Sequence, residues 1–410
     1  MRQRLSLLLS VCGLAALCVS ATATFAQQAQ SQQLKGYYAV RPLTGSSAAV
    51  SQAIEKALTP GAAALPYWRY NVVSSRDGNS YTGISIGTDP SSNLSTFVSA
   101  KVIPIIFKMP DGTILDPTKP DPCAGNGTLS DLQLLMGSPE VQSTDFTFGS
   151  VDVGKTQYLD AFQRAEYWEG SPNGGSGVST NSNQHLRLNY SILKPVVVNV
   201  PMGGGKEWTG FGCGYFGVIN IVWFDSALVG LSTPDYVQER ILAPLMNKGV
   251  LGANDLPILF MPSTVMAVQS TSPLQNCCIL GYHGAYLNAS GNIQTYAPLD
   301  FDTTGAFGPA VADTTVISHE VAEWANDPTG GNPTPAWGHI GQQGGCQGNF
   351  EVGDPLTGTN LPPVTMPNGF TYHLQELAFF SWYYGAPSLA ANGWFSDNNT
   401  FTTDAGAVCQ

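Results

Sequence analysis

The sequence predicts an α+β fold, β-rich in its N-terminal half, in which a twisted sheet carries one chemically equipped helix and a C-terminal helix. Three observations predict it. Apolar runs of strand length come in pairs around turn residues early in the chain, helical spacing governs the late segments 314–326 and 370–384, and no internal repeat recurs across the 410 residues. A hydrophobic share of 43%, with 18 Phe, 16 Tyr and 8 Trp, is ample for a packed core and excludes wholesale disorder. A net charge of −12 excludes a nucleic-acid partner, whose phosphates need a Lys/Arg surface.

Residues 1–26 read as a signal peptide. Arg2 and Arg4 form a basic start, Leu5 to Leu17 an apolar stretch, and Thr24-Phe25-Ala26 a small-x-small cleavage site. The expected location is therefore secreted or periplasmic. No later run approaches the roughly 18 apolar residues of a membrane span. The remainder of the chain divides into a β-rich lobe, 27–185, and a second lobe, 186–410, with one continuous domain as the alternative.

Ser46 to Leu58 has helical spacing and is stopped by Thr59-Pro60-Gly61. Pro66 to Ser75 and Tyr81 to Thr88 flank Asp77-Gly78-Asn79 as a hairpin, and Phe97 to Met109 with Thr113 to Leu115 flank Pro110-Asp111-Gly112 as another. Thr156 to Trp168 reads as a helix, 170–183 as a Gly/Ser/Asn-rich loop, and Leu186 to Val200 as a further β pair. Phe216 to Phe224 is a continuous apolar run, as in a buried strand. A helix starts at Thr233-Pro234-Asp235 and runs to about Asn247. Leu256 to Met261 and Cys278 to Leu287 are strands. Asp313 caps a helix over Thr314 to Asn326, residues 328–370 are mostly loop, and Phe370 to Tyr384 is helical.

Six cysteines remain beyond residue 26: Cys123, Cys213, Cys277, Cys278, Cys346 and Cys409. An even count in an exported chain implies three disulfides, and no CxxC pair supports a cysteine-ligated metal. Cys277 and Cys278 are adjacent and are expected to bond to different partners, because a vicinal bridge strains the backbone.

Charge is distributed unevenly. From Gly249 to Gln410 there is no Lys or Arg, yet the segment carries eight Asp and four Glu. An unpaired ion in a low-dielectric interior is costly. Any carboxylate buried here must turn to backbone amides, helix N-termini, the N-terminal half or a bound cation.

The chemistry concentrates after Asp313, in Ile-Ser-His319-Glu320-Val-Ala-Glu323-Trp. His319 and Glu323 are i and i+4, one turn apart on one face, where two side chains can share a metal ion. Glu320 falls beside that ion, where a carboxylate can take a proton from water as a general base. Ile317, Val321 and Trp324 fall on another face, suited to packing on the sheet. A helix supplies two ligands and a catalytic site needs a third. Downstream, Glu351-Val-Gly-Asp354 offers Glu351 as the preferred third ligand and Asp354 as a ligand or an orienting group. Zinc is the first expectation for this divalent site, with calcium, manganese and iron favoured by the carboxylates.

The run Cys277-Cys278-Ile-Leu-Gly-Tyr-His283-Gly, the His-Glu-x-x-Glu helix and Glu351-Val-Gly-Asp354 together resemble the EXORDIUM-like, phosphate-induced secreted proteins. The resemblance covers residues 277–354. More distantly the helix is similar to that of zincin metallopeptidases, with Glu323 where those carry a histidine. It implies a zincin-like lobe over 186–410 and a metal held by His319, Glu323 and Glu351 or Asp354. EXORDIUM-like proteins also imply an extracellular, wall-associated setting.

His283, at a strand end, and His373, placed on the last helix, are possible outer-layer groups around the site. No Gly-x-Ser-x-Gly elbow is present, and Gly203-Gly204-Gly205-Lys206 lacks P-loop spacing. Two functions fit these residues. One is a secreted metal-dependent hydrolase, peptidase-like, in which a His/Glu/Glu site activates water against a peptide substrate. The other is a non-catalytic, wall-associated extracellular protein with a structural ion.

Overall fold

Turn chemistry sets the first strands. Asp77-Gly78-Asn79 closes the antiparallel pair Tyr67–Val73 and Ser80–Ile86, with Gly78 at φ +75°, a left-handed conformation that glycine adopts freely. The computed structural model describes residues 34–125, 127–168, 183–231, 235–268, 274, 277–385, 390–404 and 409. The expected signal peptide, 1–26, and residues 170–182 of the expected loop lie outside them.

The fold is mixed α+β and strand-rich. One eleven-stranded sheet organises it. Its main path runs Gly205–Trp208, Phe216–Asn220, Thr264–Ala267, Cys277–Leu287, Ile293–Phe301, Asp255–Pro262, Ser95–Lys108 and Ile114–Leu115. Tyr37–Arg41 pairs in parallel with Cys277–Leu287, while His185–Ile192 and Val196–Asn199 both run parallel to Ser95–Lys108. Strands from both sides of residue 185 thus share one sheet.

The middle strands are covered on both faces. Every residue of Asp255–Pro262 and of Ile293–Phe301 is buried. One face packs against the helix Thr315–Asn326 through Val316, Ile317, Val321 and Trp324. On the other, Val237, Ile241 and Leu242 join Leu259 and Met261 in a separate core cluster. Two-sided burial removes the apolar alternation by which a strand is read. This explains why Ile293–Phe301, carrying Gln294, Thr295, Pro298 and Asp300, escapes sequence reading. All twelve residues of Thr315–Asn326 are buried. Gly281 lets this helix approach the sheet, since a Cβ there would meet Val316 at 2.7 Å and Glu320 at 3.3 Å.

Several expectations need correction. The strands in 186–200 do not pair with each other, because both find the longer edge of Ser95–Lys108. The run 216–224 is a strand only to Asn220, whose side chain then caps the turn Ile221–Phe224. The helix after residue 235 is wound as a π-helix over Val237–Leu242 before it becomes α over Ala243–Asn247. The C-terminal helix shrinks to Phe380–Tyr384. Its expected first turns are claimed elsewhere: Glu376, Ala378 and Phe379 donate their backbone N–H groups to Thr359, Val352 and Phe395. His373 therefore does not lie on a helix. Asp313 caps nothing in the usual way either; its carboxylate accepts from Thr314 N and from His373 N, and sits 2.6 Å from His373 Nδ1.

Three disulfides form: Cys123–Cys213, Cys346–Cys409 and Cys277–Cys278. The vicinal pair corrects the expectation of separate partners. The other four cysteines satisfy one another, and a cis peptide between Cys277 and Cys278 brings their Cα atoms to 3.0 Å.

Glu140 is buried at 1% exposure with neither carboxylate oxygen hydrogen-bonded, and burial pushes its pKa up to about 8. In the unfolded chain glutamate titrates near 4.3. Its stabilising contribution is thus whole below that pH and is lost as pH rises toward 8. Wild type should lose about 3–5 kcal/mol more than Glu140→Gln between pH 4.5 and 8. Parallel slopes of denaturant-derived stability for the two proteins would refute this assignment.

Candidate metal centre

The helix Thr315–Asn326 presents His319 and Glu323 one turn apart, with His319 Nε2 3.1 Å from Glu323 Oε1. Facing them is the segment that continues from strand Cys346–Asn349. Its backbone is fixed at three points: Tyr383 Oη donates to the Glu351 carbonyl, Ala378 N to that of Val352 at 2.8 Å, and Gln375 Nε2 to that of Gly353 at 2.7 Å. The segment in turn fixes Glu323, whose Oε1 accepts from Gly353 N at 3.0 Å and Asp354 N at 3.2 Å. Asp354 Oδ1 then lies 3.6 Å from His319 Nε2.

Two buried triads result, each with ligand atoms mutually within 4.8 Å: His319, Glu323 and Asp354, and His283, Glu323 and Glu351. Glu323 belongs to both. The four expected ligands, His319, Glu323, Glu351 and Asp354, therefore converge on one region, but Glu351 groups with His283 and Asp354 with His319. His283 Nε2 is 3.7 Å from Glu351 Oε2. His373 stands apart, at the far end of the helix with Asp313.

Glu320 turns toward the sheet. Its Oε2 lies 3.2 Å from His283 Nδ1, and His283 Nε2 lies 3.0 Å from the Asp327 carbonyl. Burial lowers the His283 pKa to about 4, so the ring is neutral and carries one N–H. That proton belongs on Nε2, since a carbonyl only accepts. Nδ1 is left to accept from Glu320, whose carboxyl is pushed far up by burial and by the charges of Glu323 and Asp354. Burial and Glu323 likewise push Glu351 and Asp354 up. Burial pushes Glu323 up as well, but His319 and His283 beside it more than reverse this, and it sits below the ordinary range. The cluster alone thus concentrates its negative charge on the carboxylate common to both triads.

Donors are left over. His319 Nδ1 and Nε2, Glu320 Oε1 and Glu351 Oε2 are buried with no hydrogen-bond partner. Buried polar atoms are rarely left so in folded proteins, and each costs about 1–3 kcal/mol. Arg41, the buried cation of the neighbouring strand Tyr37–Arg41, is committed to Asp225 and Asp235 at 3.3 and 3.0 Å. One imidazole with two carboxylates fits a divalent ion of intermediate hardness such as zinc, manganese or iron. The residues present fit such an ion.

Four further residues shape the site and carried no sequence signal. Tyr38 stacks on the His319 ring, centroids 3.5 Å apart. Gln342 accepts from Tyr38 N at 2.7 Å and donates to Asp354 Oδ1, while Gln343 donates to Asp354 Oδ2 at 2.8 Å. Gly353 packs under the imidazole, so that a Cβ there would run into the ring. Tyr38 is almost three hundred residues from its partner, and only sheet pairing brings it there. Gly353→Ala should displace His319 and weaken metal affinity about 10–100-fold. A metal titration equal to wild type would show that the ring does not depend on this contact.

Comparison with protein families, curated proteins and solved structures finds no match for this chain. Function must be argued from the site itself.

Proposed function

We propose that this protein is a secreted metal-dependent hydrolase with a zincin-like helix-on-sheet site, peptidase-like in its chemistry. The observation that carries the reading is the convergence of unpartnered buried donors around Glu323 in a segment without Lys or Arg. His319, Glu323 and Asp354 would hold the ion, with Glu351 and His283 on the second side of Glu323. A divalent cation in such a site polarises a carbonyl and lowers the pKa of water.

The chain's own groups have separate tasks. Without an ion the Glu320 carboxyl keeps its proton, which Oε2 donates to His283 Nδ1; a cation that offsets the charges of Glu323 and Asp354 would let it ionise and serve as the proton acceptor through Oε1. His283 is itself aimed by the Asp327 carbonyl. Gln342 and Gln343 hold Asp354, and the Tyr38 ring holds the His319 plane. The low dielectric strengthens each of these interactions.

A second reading is favoured by the burial of the donors, with His283, His319 and Glu320 at 0% exposure. An enclosed ion suits a structural role in a non-catalytic, wall-associated protein. Metal analysis of the purified protein, combined with a peptide and ester substrate panel with and without chelator, separates the two. Stoichiometric zinc or manganese with chelator-sensitive turnover supports the hydrolase. Bound metal without turnover supports the structural role, and protein free of metal after loading rejects both.

A further inference from the structure

Glu323 offers one oxygen to each triad. Its Oε1 lies 3.1 Å from His319 Nε2, and its Oε2 lies 3.8 Å from His283 Nδ1. The ion of the proposed hydrolase takes the first side, together with Asp354. The second side has its own donors, His283 and Glu351, which with Glu323 bring three ligand atoms within 4.8 Å of one another. They come from three separately held elements: the strand Cys277–Leu287, the helix Thr315–Asn326 and the segment after Cys346–Asn349.

The donors on this side are aimed and under-used. Asn349 Nδ2 donates to Glu351 Oε1 at 3.0 Å, which leaves Oε2, on a residue 1% exposed, buried with no hydrogen-bond partner. That oxygen faces the His283 ring, 3.7 Å from Nε2 and too far for a hydrogen bond. His283 Nε2 donates to the Asp327 carbonyl at 3.0 Å, the way ligating histidines are commonly held, and this leaves the lone pair of Nδ1 on the Glu323 side. Glu320 Oε2, 3.2 Å from Nδ1, is the group that gives up this lone pair to an ion. Charge points the same way. Glu320, Glu323, Glu351 and Asp354 put four carboxyls in one buried region of a segment without Lys or Arg, and Arg41 is committed elsewhere. One divalent ion offsets two of those charges and two ions offset all four, in an interior where an uncompensated charge is costly.

We propose that the centre takes two divalent ions bridged by Glu323, the second held by His283, Glu351 and Glu323 Oε2. This rests on the reading of His319, Glu323 and Asp354 as an ion site. A carboxylate that gives one oxygen to each of two ions suits a separation of about 3.5–4 Å, the spacing of two-metal hydrolytic sites. Each side supplies one imidazole and two carboxylates, the bridge counted in both. The two positions therefore have the same donor chemistry, and zinc alone or manganese alone should fill both.

The test is elemental analysis of the whole chain, loaded with zinc alone or with manganese(II) alone and freed of excess metal. Electron paramagnetic resonance of the manganese-loaded protein then reports whether the ions are neighbours. Wild type should hold two ions per chain and show the exchange-coupled spectrum of a manganese pair. Glu351→Gln and His283→Gln should each hold one and show the spectrum of isolated manganese. The wild-type count and spectrum decide the matter even should a variant fail to fold. One ion in wild type, kept by both variants, overturns the second site and leaves the first standing. Two uncoupled ions in wild type overturn the bridge, and variants that still hold a coupled pair overturn the ligand assignment. A wild type that binds neither metal overturns the underlying reading as well.

Discussion

Glu323→Gln should strip the protein of its metal. The carboxylate is common to both triads, and its Oε1 also receives Gly353 N and Asp354 N. Loss of an outer-layer partner weakens metal binding about 10–100-fold, and loss of a shared ligand should exceed that. Metal content after dialysis is the first readout. Stability supplies an independent one, because the size of the difference depends on the ion. With metal at about a hundred times its dissociation constant, wild type gains about 2.7 kcal/mol that the variant lacks. In chelator a smaller deficit should remain, since a carboxylate held below its ordinary range is stabilised by the fold at neutral pH and Gln forfeits that contribution. A variant less stable than wild type by the same amount with and without metal would mean that Glu323 is only a structural hydrogen-bond acceptor.

Glu320→Gln should do the reverse, leaving metal content unchanged while turnover falls about 10²–10⁴-fold, the usual contribution of a positioned general base. Geometry separates it from the ligands. Its Oε2 faces His283 Nδ1 at 3.2 Å, and it belongs to neither triad. Gln keeps the shape but cannot accept and pass on a proton. Loss of metal from this variant would make Glu320 a ligand. Wild-type turnover on a substrate that the parent hydrolyses would remove it from the mechanism.

Much of the site was legible because its central part is local. His319, Glu320 and Glu323 lie within five residues, and a helix's period places two of them on one side whatever the rest of the chain does. Glu351 and Asp354 were found by a charge argument: carboxylates in a segment without Lys or Arg had few other partners. The division of these residues between two triads was not legible. It depends on how the segment after Cys346–Asn349 is pinned by Tyr383, Ala378 and Gln375, contacts made across the fold. His283 was placed near the site, but its pairing with Glu320 depends on the strand Cys277–Leu287 running beneath the helix.

In the fold, the Asp77-Gly78-Asn79 hairpin and the strand Asp255–Pro262 were legible from turn chemistry and apolar runs. Ile293–Phe301 was not, since burial on both faces erased its alternation. The helical spacing in 370–384 misled for the opposite reason: the period was present, but the backbone N–H groups of 376–379 found tertiary acceptors.

Read alone, the sequence determined the α+β class, the placement of the helix bearing His319 and Glu323, and the shortage of positive charge around the buried carboxylates. These are properties of neighbours along the chain or of composition. Tertiary structure decided which carboxylate meets which histidine, that Tyr38 stacks on His319, and that Cys277 pairs with Cys278. Apart from the cysteine pair, each of those depends on residues tens to hundreds of positions apart, brought together by strand pairing and two-sided burial that no local pattern encodes.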